Sequence, residues 1–459
     1  MTSRRASTMT ATRPRHPRAG RLARVLLPAL VALQAAWLPD AAAQAQPQTL
    51  APAIDAQLAR HYPGLEQLYK DLHAHPELGF QEVQTARKLA AAMRAAGFEV
   101  TEQVGRTGVV ALLRNGPGPT ILVRTDMDAL PMEEKTGLPY ASRVQVDHLG
   151  RTTFVAHSCG HDLHMAGWVG TALTLAALKD RWQGTLMFIA QPAEELLGGA
   201  KAMLADGLFQ RFGKPDFAFA LHTWPMAHGE IGFNVGAVTS NADAFELTFN
   251  GRGAHGSAPD KSIDPVLMAA RFAVDVQGVV SREKDPFQFG VLSIGAIQGG
   301  TSGNIIPDSV VLRGTLRSYD PAVRTKLRDG LRRTALATAS MAGAPEPALK
   351  LTPGGDATVN DAALVERAEA VLKLAFGAQV KRLPPITPSE DFAEFGSAGV
   401  PSMFFLVGVL DPRDIEAARQ PGGKPLPGNH SPFFAPVPEP SIKTAVKAMS
   451  LAVLSALQR

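Results

Sequence analysis

The densest cluster of reactive side chains lies in residues 157–164, which read His-Ser-Cys-Gly-His-Asp-Leu-His. Cys159 and His161 are separated by one residue, in a predicted loop ahead of an apolar helix. A thiolate and an imidazole at this spacing can bind one metal ion. Cys159 is the only cysteine of the chain, so an intramolecular disulfide is excluded. A metal would explain the unpaired thiol; the alternative is a buried free cysteine beside surface histidines.

Other potential ligands and acids stand at or just after the ends of three predicted strands. In an open α/β sheet, functional sites form at the carboxyl ends of strands. Three strands therefore bring candidate side chains to one edge of a sheet. The candidates are Asp126 and Asp128 after strand 121–123, Glu194 and Glu195 after strand 186–189, and His222 at the end of strand 217–221.

The adjacent pair Glu194 and Glu195 points to two separate roles. Neighbouring side chains point in different directions, so one carboxylate can bind a metal while the other takes a proton from a metal-activated water. The flanking Pro-Ala and Leu-Leu-Gly-Gly residues are not typical of a solvated surface. Together with Cys159, His222 and His430, the pair favours a hydrolytic metal site over a chance cluster of polar side chains.

The elements that must position these residues alternate between strands and helices, which is typical of an α/β domain. Apolar runs of three to six residues predict buried strands, and longer segments rich in Ala and Leu predict helices. The predicted strands are 109–113, 121–123, 186–189, 217–221 and 402–407, and the predicted helices are 65–72, 85–96 and 164–178.

The middle of the chain has a different order of elements. It reads strand, helix, strand, strand, helix, strand, the βαββαβ order of a ferredoxin-like α+β unit. The six elements are 244–249, 264–280, 289–297, 310–317, 322–339 and 349–351. We therefore predict a catalytic α/β domain built from 46–236 and 352–459, interrupted by an inserted domain at 237–351.

The composition excludes several classes of protein. The chain has 459 residues, of which 45% are apolar and 19% are charged, so it is neither disordered nor fibrous. Its formal charge is +4, but residues 1–45 hold seven arginines and one aspartate. The remainder carries a net charge of about −2, which removes the main electrostatic argument for nucleic-acid binding.

Residues 1–45 predict a signal peptide. A basic stretch ends at Arg24, an apolar run covers 25–33, and small residues at 41–45 offer a cleavage site. We expect export to the periplasm or secretion, with no stable membrane association after cleavage. An uncleaved anchor, a twin-arginine signal at Arg4 and Arg5, and a start at Met9 remain alternatives.

The chain resembles the two-metal aminoacylase and carboxypeptidase family, in the branch of hippurate hydrolases and indole-3-acetyl-amino-acid hydrolases. The resemblance extends from about residue 72 to the C-terminus and depends on eight ordered motifs. These are residues 72–80, 126–131, 159–162, 191–195, 221–225, 251–255, 304–308 and 428–431. It implies a zinc-peptidase-like mixed sheet, with the inserted domain serving as a lid and as a dimerisation domain.

The resemblance also implies a role for each candidate residue. Two divalent ions are expected, with Zn or Mn favoured and Co or Ni as alternatives, because a thiolate favours Zn and carboxylate-rich sites accept Mn. A metal-bridging hydroxide would attack the amide of an N-acyl amino acid or a small peptide-like conjugate. The implied roles are Cys159 as the ligand shared by both metals, His161 and His222 at one metal, Glu195 and His430 at the other, Glu194 as general base, and Asp128 and Asp162 orienting the histidine ligands.

The inserted domain would supply the remaining groups. By resemblance, His255 steadies the developing oxyanion, reaching the site of a neighbouring subunit in a homodimer formed through 237–351. Asn304 and Arg317 would contact the oxyanion or the carboxylate of the substrate, since a guanidinium suits a carboxylate partner. The alternatives are a turn residue for His255 and a surface charge for Arg317.

Three other functions are alternatives to the hydrolase hypothesis. Residues 251–256 match the G-x-G-x-x-G pattern of a dinucleotide-binding oxidoreductase, but Pro259 interrupts the passage to a late helix and no acidic residue follows at the expected spacing. A non-catalytic periplasmic metal- or ligand-binding protein would need the ligands but not the base Glu194. A dipeptidase or other peptidase of the same family remains open.

Overall fold

The strands that precede the candidate ligands belong to one mixed sheet of eight strands in the computed structural model, which describes residues 41–457. The helices are α1 (Ala41–Ala74), α2 (Val83–Ala95), α3 (His161–Ala177), α4 (Gly199–Ala205), α5 (Leu208–Phe212), α6 (Pro265–Asp275), α7 (Pro321–Met341), α8 (Ala362–Phe376), α9 (Ala393–Ser397), α10 (Pro412–Arg419) and α11 (Pro438–Leu457). The strands are β1 (Glu99–Val104), β2 (Gly108–Asn115), β3 (Thr120–Asp126), β4 (Gln145–His148), β5 (Arg151–Phe154), β6 (Gly184–Gln191), β7 (Phe217–Ala227), β8 (Ile231–Phe233), β9 (Gly236–Ala237), β10 (Asp243–Asn250), β11 (Ala254–His255), β12 (Gly290–Gln298), β13 (Ile305–Ile306), β14 (Ser309–Ser318), β15 (Ala348–Pro353), β16 (Val359–Asn360), β17 (Val380–Arg382) and β18 (Ser402–Leu410).

The large sheet has the strand order β1-β2-β6-β3-β7-β18-β8-β17. Its four central strands β6, β3, β7 and β18 are parallel, and β1 and β2 extend the sheet in antiparallel pairing. The carboxyl ends of the central strands therefore meet at one edge. The predicted α/β fold with a mixed sheet is confirmed.

Both faces of the large sheet are covered by helices, which explains why its central strands are apolar throughout. Alternate residues of β2 enter different cores because successive side chains of a strand point to opposite faces. Val109, Ala111 and Leu113 pack in the core formed with α2, α3 and α11, whereas Val110 and Leu112 pack in the core formed with α4 and α9.

The central region forms a second sheet of four antiparallel strands in the order β12-β14-β10-β15, with α6 and α7 packed on one face. The predicted βαββαβ order is present and has the ferredoxin-like strand arrangement. Phe245, Leu247 and Phe249 of β10 point into the core of this unit. The predicted helix 264–280 is interrupted: α6 ends at Asp275, and a π-helical turn follows at Val279–Glu283.

The two chain connections to this four-stranded unit lie side by side. Val238 donates its amide to the carbonyl of Thr358, and the hydroxyls of Thr239 and Thr358 are 2.8 Å apart. The described residues from Ala45 onwards pack as one unit. The proposed division at 46–236, 237–351 and 352–459 stays a prediction.

Two predicted boundaries near the ligands were wrong. Helix α3 begins at His161 rather than His164, and β7 continues past His222 to Ala227. No helix between residues 41 and 457 combines the length and the apolar character needed to cross a bilayer. Apart from its last five residues, which begin α1, the predicted signal segment 1–45 lies outside the described residues.

Candidate active site

The five predicted metal ligands come together at the carboxyl-end edge of the large sheet. Ligand atoms of Cys159, His161 and Glu195 all lie within 4.8 Å of one another. The Sγ of Cys159 is 3.4 Å from Nε2 of His222, and Oε1 of Glu195 is 3.2 Å from Nε2 of His430. The structure therefore joins five residues from four separate segments of the chain into one continuous group.

The imidazoles of His161 and His222 are oriented by backbone carbonyls. Nδ1 of His161 lies 2.7 Å from the carbonyl oxygen of Asp128, and Nδ1 of His222 lies 2.7 Å from that of Thr223. A carbonyl oxygen only accepts hydrogen bonds, so each Nδ1 must carry the proton. In the neutral ring Nε2 then has a free lone pair, and Nε2 of His161 is buried without a hydrogen-bond partner. Both rings are thus arranged to bind a metal through Nε2.

His164 is close to this group but is not available as a ligand. Its Nε2 accepts a hydrogen bond of 2.8 Å from the amide of Thr223, and its Nδ1 is 2.7 Å from Oδ1 of Asp126. Both nitrogens are therefore engaged. The hydrogen-bonded pair of Asp126 and His164 packs beside the ligands, and of the two only Asp126 was a candidate ligand or acid from the sequence.

The turn before α3 allows Cys159 and His161 to face the same point. Gly160 between them has a φ of +89°, a conformation that L side chains rarely adopt. A Cβ at Gly160 would lie 2.5 Å from Oγ1 of Thr223. Only glycine fits this position without displacing Thr223, whose hydroxyl donates to the carbonyl of Cys159.

Two buried carboxylates hold the segment that carries the adjacent glutamates. Glu82 accepts the amide of Ala193 at 2.8 Å, and Asp128 accepts the amides of Glu194 and Glu195 at 3.0 Å each. Ala193 has a φ of +47°, so the chain turns sharply just before the pair. Asp128 thus orients His161 through its carbonyl and the glutamates through its carboxylate.

Asp162 is hydrogen-bonded to His73 and not to one of the predicted histidine ligands. The sequence assigned it to orienting a histidine ligand, but its carboxylate is 2.6 Å from Nδ1 of His73, whose Nε2 is 3.1 Å from Glu134. Burial acts to lower the pKa of His73, yet the hydrogen bonds to the two carboxylates outweigh it and raise the pKa to about 10. His73 is therefore an imidazolium bridging α1 and α3 behind the site.

The sequence did not predict a buried cluster of charged residues beside the site. The guanidinium of Arg124 donates to Asp126 at 2.8 Å, to Glu390 at 2.8 Å and to Asp391 at 3.2 Å. Burial raises the pKa of Asp391 to about 7 against the lowering effect of the Arg124 charge. The available signal was an arginine in an apolar strand and an acidic pair directly before Phe392.

Three side chains of the site favour neutral forms in the absence of a cation, and two favour charged forms. Burial raises the pKa of the Cys159 thiol, and the nearby carboxylates of Glu195 and Glu194 add to this effect. Burial also raises the pKa of Glu194, with repulsion from Glu390 as the next cause. Burial lowers the pKa of His222, which keeps its imidazole neutral as a metal ligand must be.

Burial acts to lower the pKa of His161, but the charge of Asp126 outweighs it and raises the pKa to about 10. The hydrogen bond to His430 lowers the pKa of Glu195 against the raising effect of burial.

A cavity of about 510 Å³ opens onto the ligand group. Cys159, Glu194 and His430 line one end. Arg317 of β14 and Ser389 line it as well, so the four-stranded unit contributes one of its walls. Its other walls include the apolar side chains of Leu197, Trp224, Pro225, Ile386 and Phe404.

The other two predicted residues of the inserted region are not in this cavity. His255 and Asn304 are both exposed, and the amide of Gly256 donates to the carbonyl of Asn304 at 2.7 Å. The structure thus places them beside each other on the four-stranded unit, where β11 pairs with β13. Their predicted roles stay predictions, and Arg317 alone of the three lines the cavity.

The fold and the site together define a metal-dependent hydrolase of amide bonds. The sequence profile of Peptidase family M20/M25/M40 matches residues 122–422, and the chain belongs to this family. It is 36% identical to thermostable carboxypeptidase 2 of Saccharolobus solfataricus over 75% of this chain and 85% of that protein. It is also 36% identical to the hippurate hydrolase of Campylobacter jejuni, over 72% of this chain and 84% of that protein.

A solved structure agrees with both the fold and the enzyme class. A dinuclear metal-binding peptidase of the M20 family from Bacillus subtilis aligns with a TM-score of 0.71 and 30% identity, covering 88% of this chain and 99% of its own. The predicted membership of the aminoacylase and carboxypeptidase family is confirmed. The G-x-G-x-x-G pattern at 251–256 forms no dinucleotide site, because it enters the short strand β11 rather than a helix.

Proposed function

We propose that this protein hydrolyses the amide bond of N-acyl amino acids or small peptide-like conjugates. The observation that carries the proposal is the group of Cys159, His161, His222, Glu195 and His430 around one end of the cavity. Glu194 stands beside this group as a candidate base, and Arg317 stands in the same cavity as a candidate anchor for a carboxylate.

The donor set fits a pair of divalent cations. Cys159 would be shared, with His161 and His222 at one cation and Glu195 and His430 at the other. The buried, unpartnered Nε2 of His161 supports this, since a lone pair buried without a partner is costly unless a cation or proton meets it. A thiolate among the ligands favours Zn, with Mn, Co or Ni as alternatives. Bound cations would polarise the amide carbonyl and favour ionisation of water.

Glu194 is placed to act as the general base. Its side chain is 5% exposed, lines the cavity and is 3.8 Å from Nε2 of His161. Burial, and after it the charge of Glu390, raises the pKa of its carboxyl, which makes the carboxylate a stronger proton acceptor. Glu194 would take the proton of the attacking water and deliver it to the leaving amine.

Arg317 gives the cavity a positive group away from the ligands. A guanidinium can bind a carboxylate through two parallel hydrogen bonds. A substrate with a free terminal carboxylate would thereby be oriented with its amide towards Glu194. The apolar walls near Trp224 and Phe404 leave room for an uncharged acyl group.

Cleavage of a dipeptide is the second candidate function, because it leaves the same free carboxylate. The similarity to a carboxypeptidase of S. solfataricus supports it. A panel of N-acetyl, N-benzoyl and N-(indole-3-acetyl) amino acids and dipeptides distinguishes the two. Metal-stripped protein re-supplied with Zn, Mn, Co or Ni should regain activity with one cation best. Activity that survives metal removal would contradict the proposal.

The variant Glu194→Gln tests the assignment of the base. It should retain wild-type metal content by elemental analysis and lose roughly 10²–10⁴-fold in kcat. The exposed Glu133→Gln, which lies outside the cavity, is the matched control and should keep wild-type activity. Normal turnover by Glu194→Gln would remove Glu194 from the mechanism.

A homodimer through 237–351 would bring His255 to a neighbouring site. Strand β12 is an edge strand of the four-stranded sheet, and Val266, Leu267 and Val274 of α6 are exposed at 45%, 49% and 72%. Mixing the inactive variants His255→Ala and Glu194→Gln should restore about a quarter of wild-type activity, because half of the dimers are mixed and each has one intact site. A monomer in light scattering would contradict the proposal.

Export is proposed from residues 1–45 alone. The basic, apolar and small-residue segments of a signal peptide occur there in order. The mature N-terminus from a periplasmic or culture-medium fraction should lie near residue 45. Full-length protein confined to the cytoplasm would contradict export.

A further inference from the structure

The guanidinium of Arg317 is a half-buried positive charge that no carboxylate between residues 50 and 457 pairs with. Asp243 is the acid whose charge acts on it, but both oxygens of Asp243 are already bonded by Arg324 and Arg328. Burial lowers the pKa of Arg317, as expected for a cation without a counter-ion. The hydrogen bond that the guanidinium does make is donated to Oγ of Ser389.

Ser389 lies on a segment whose backbone is hydrogen-bonded to residues that flank strands β10 and β14 of the four-stranded unit. Ser240 donates its amide to the carbonyl of Pro388 at 2.9 Å and its hydroxyl to that of Thr387 at 2.6 Å. The hydroxyl of Tyr319, two residues after Arg317, donates to the carbonyl of Pro385 at 3.1 Å. These three hydrogen bonds fix the backbone just before Ser389 and thereby its position.

The same segment continues directly into the charge cluster beside the candidate base. Glu390 follows Ser389, accepts from Arg124 at 2.8 Å, and lies with Asp391 close to Glu194. A single rigid stretch thus connects the arginine of the inserted region to the neighbourhood of Glu194. Any displacement of Ser389 would change the distance between the carboxylate anchor and the reacting amide.

We propose that Ser389 is a specificity-determining residue, whose hydroxyl holds the guanidinium of Arg317 ready for the free carboxylate of the substrate. Since Oγ accepts from Arg317, the hydroxyl hydrogen points elsewhere, and it can turn from the Oγ of Ser240, a long 3.5 Å away, to donate to the same carboxylate. Ser389 itself lines the cavity, so both groups reach the substrate. The inference rests on the proposed function and adds a second recognition group to it.

The test uses the holoenzyme and the N-acyl amino acid of the panel that the wild type cleaves fastest, together with the primary carboxamide of the same compound. Ser389→Ala should raise KM for the free acid about tenfold, as expected for losing a hydrogen bond to a charged group. The value of kcat should stay within about twofold, and kcat/KM for the carboxamide should not change. Ser389→Thr keeps the hydroxyl and should restore the KM of the wild type.

Two further variants separate this role from general loosening and from failure of the proposed function. Ser397→Ala removes the hydroxyl of an exposed serine that lies outside the cavity and should leave KM unchanged. Arg317→Met should abolish the preference for the free acid, and adding Ser389→Ala to it should then have no further effect. An unchanged KM in Ser389→Ala, or an equal loss on the carboxamide, overturns the role of Ser389. A preference that survives Arg317→Met overturns the anchor itself.

Discussion

Replacing Asp128 by asparagine should remove one of the two hydrogen bonds that hold the paired glutamates. Each carboxylate oxygen of Asp128 accepts one amide, from Glu194 or from Glu195, at 3.0 Å. Asparagine has the same shape but only one acceptor oxygen, so one amide must face an NH₂ donor. A hydrogen bond to a charged acceptor contributes about 1.5–3 kcal/mol, which corresponds to roughly a 10- to 150-fold effect.

We expect Asp128→Asn to lose roughly 10- to 100-fold in zinc affinity, because the segment that carries Glu195 is then held by one hydrogen bond fewer. Competition of the metal-free protein against a chromogenic chelator measures this affinity, and kcat/KM measures the effect on Glu194. Asp147→Asn, at an exposed position, is the matched control. If Asp128→Asn kept wild-type zinc affinity and a kcat/KM within about threefold, the assigned role of Asp128 would be wrong.

The remaining predictions concern stability and can be followed by urea unfolding. Arg124→Met leaves buried carboxylates uncompensated and should cost about 3–5 kcal/mol; a loss below about 1 kcal/mol would show that the cluster is hydrated. The pKa of His73 is about 10 when folded and near 6.5 when unfolded, so its contribution is complete below pH 6.5 and is lost as pH rises through 10. His73→Asn should flatten that part of the stability–pH curve, and an unchanged slope would contradict the imidazolium. Gly160→Ala should lower the free energy of unfolding by ~1–3 kcal/mol and lower the metal content. An unfolding midpoint equal to that of the wild type would show that Thr223 moves aside without loss of stability.

The fold was largely predictable because its elements are strongly patterned. The buried strands of the large sheet are continuous apolar runs, and the βαββαβ order of the central region was legible from alternating segments. The break after Asp275 was missed although Gly278 is a poor helix former, because Val276, Val279 and Val280 continue the apolar spacing of a helix. The predicted strand 217–221 was too short, because the polar His222 after an apolar run suggested the end of the strand, whereas β7 continues to Ala227.

The ligand group was predictable from residue types, but the residues that orient the ligands were not. A carboxylate that accepts from backbone amides, such as Asp128 or Glu82, gives no sequence pattern that distinguishes it from a solvated acid. The hydrogen-bond partner of Asp162 was not predictable, because this partner, His73, is 89 residues away in the sequence. Only the packing of α1 against α3 brings these two side chains together.

The central claim is that Cys159 bridges a pair of cations with Glu194 beside them. Anomalous diffraction from zinc-loaded crystals, collected above and below the zinc edge, tests it most directly. We predict two anomalous peaks, each about 2.3 Å from Sγ of Cys159, with His161 and His222 at one and Glu195 and His430 at the other. Peaks distant from that sulfur, or a single peak bound by imidazoles alone, would contradict the claim.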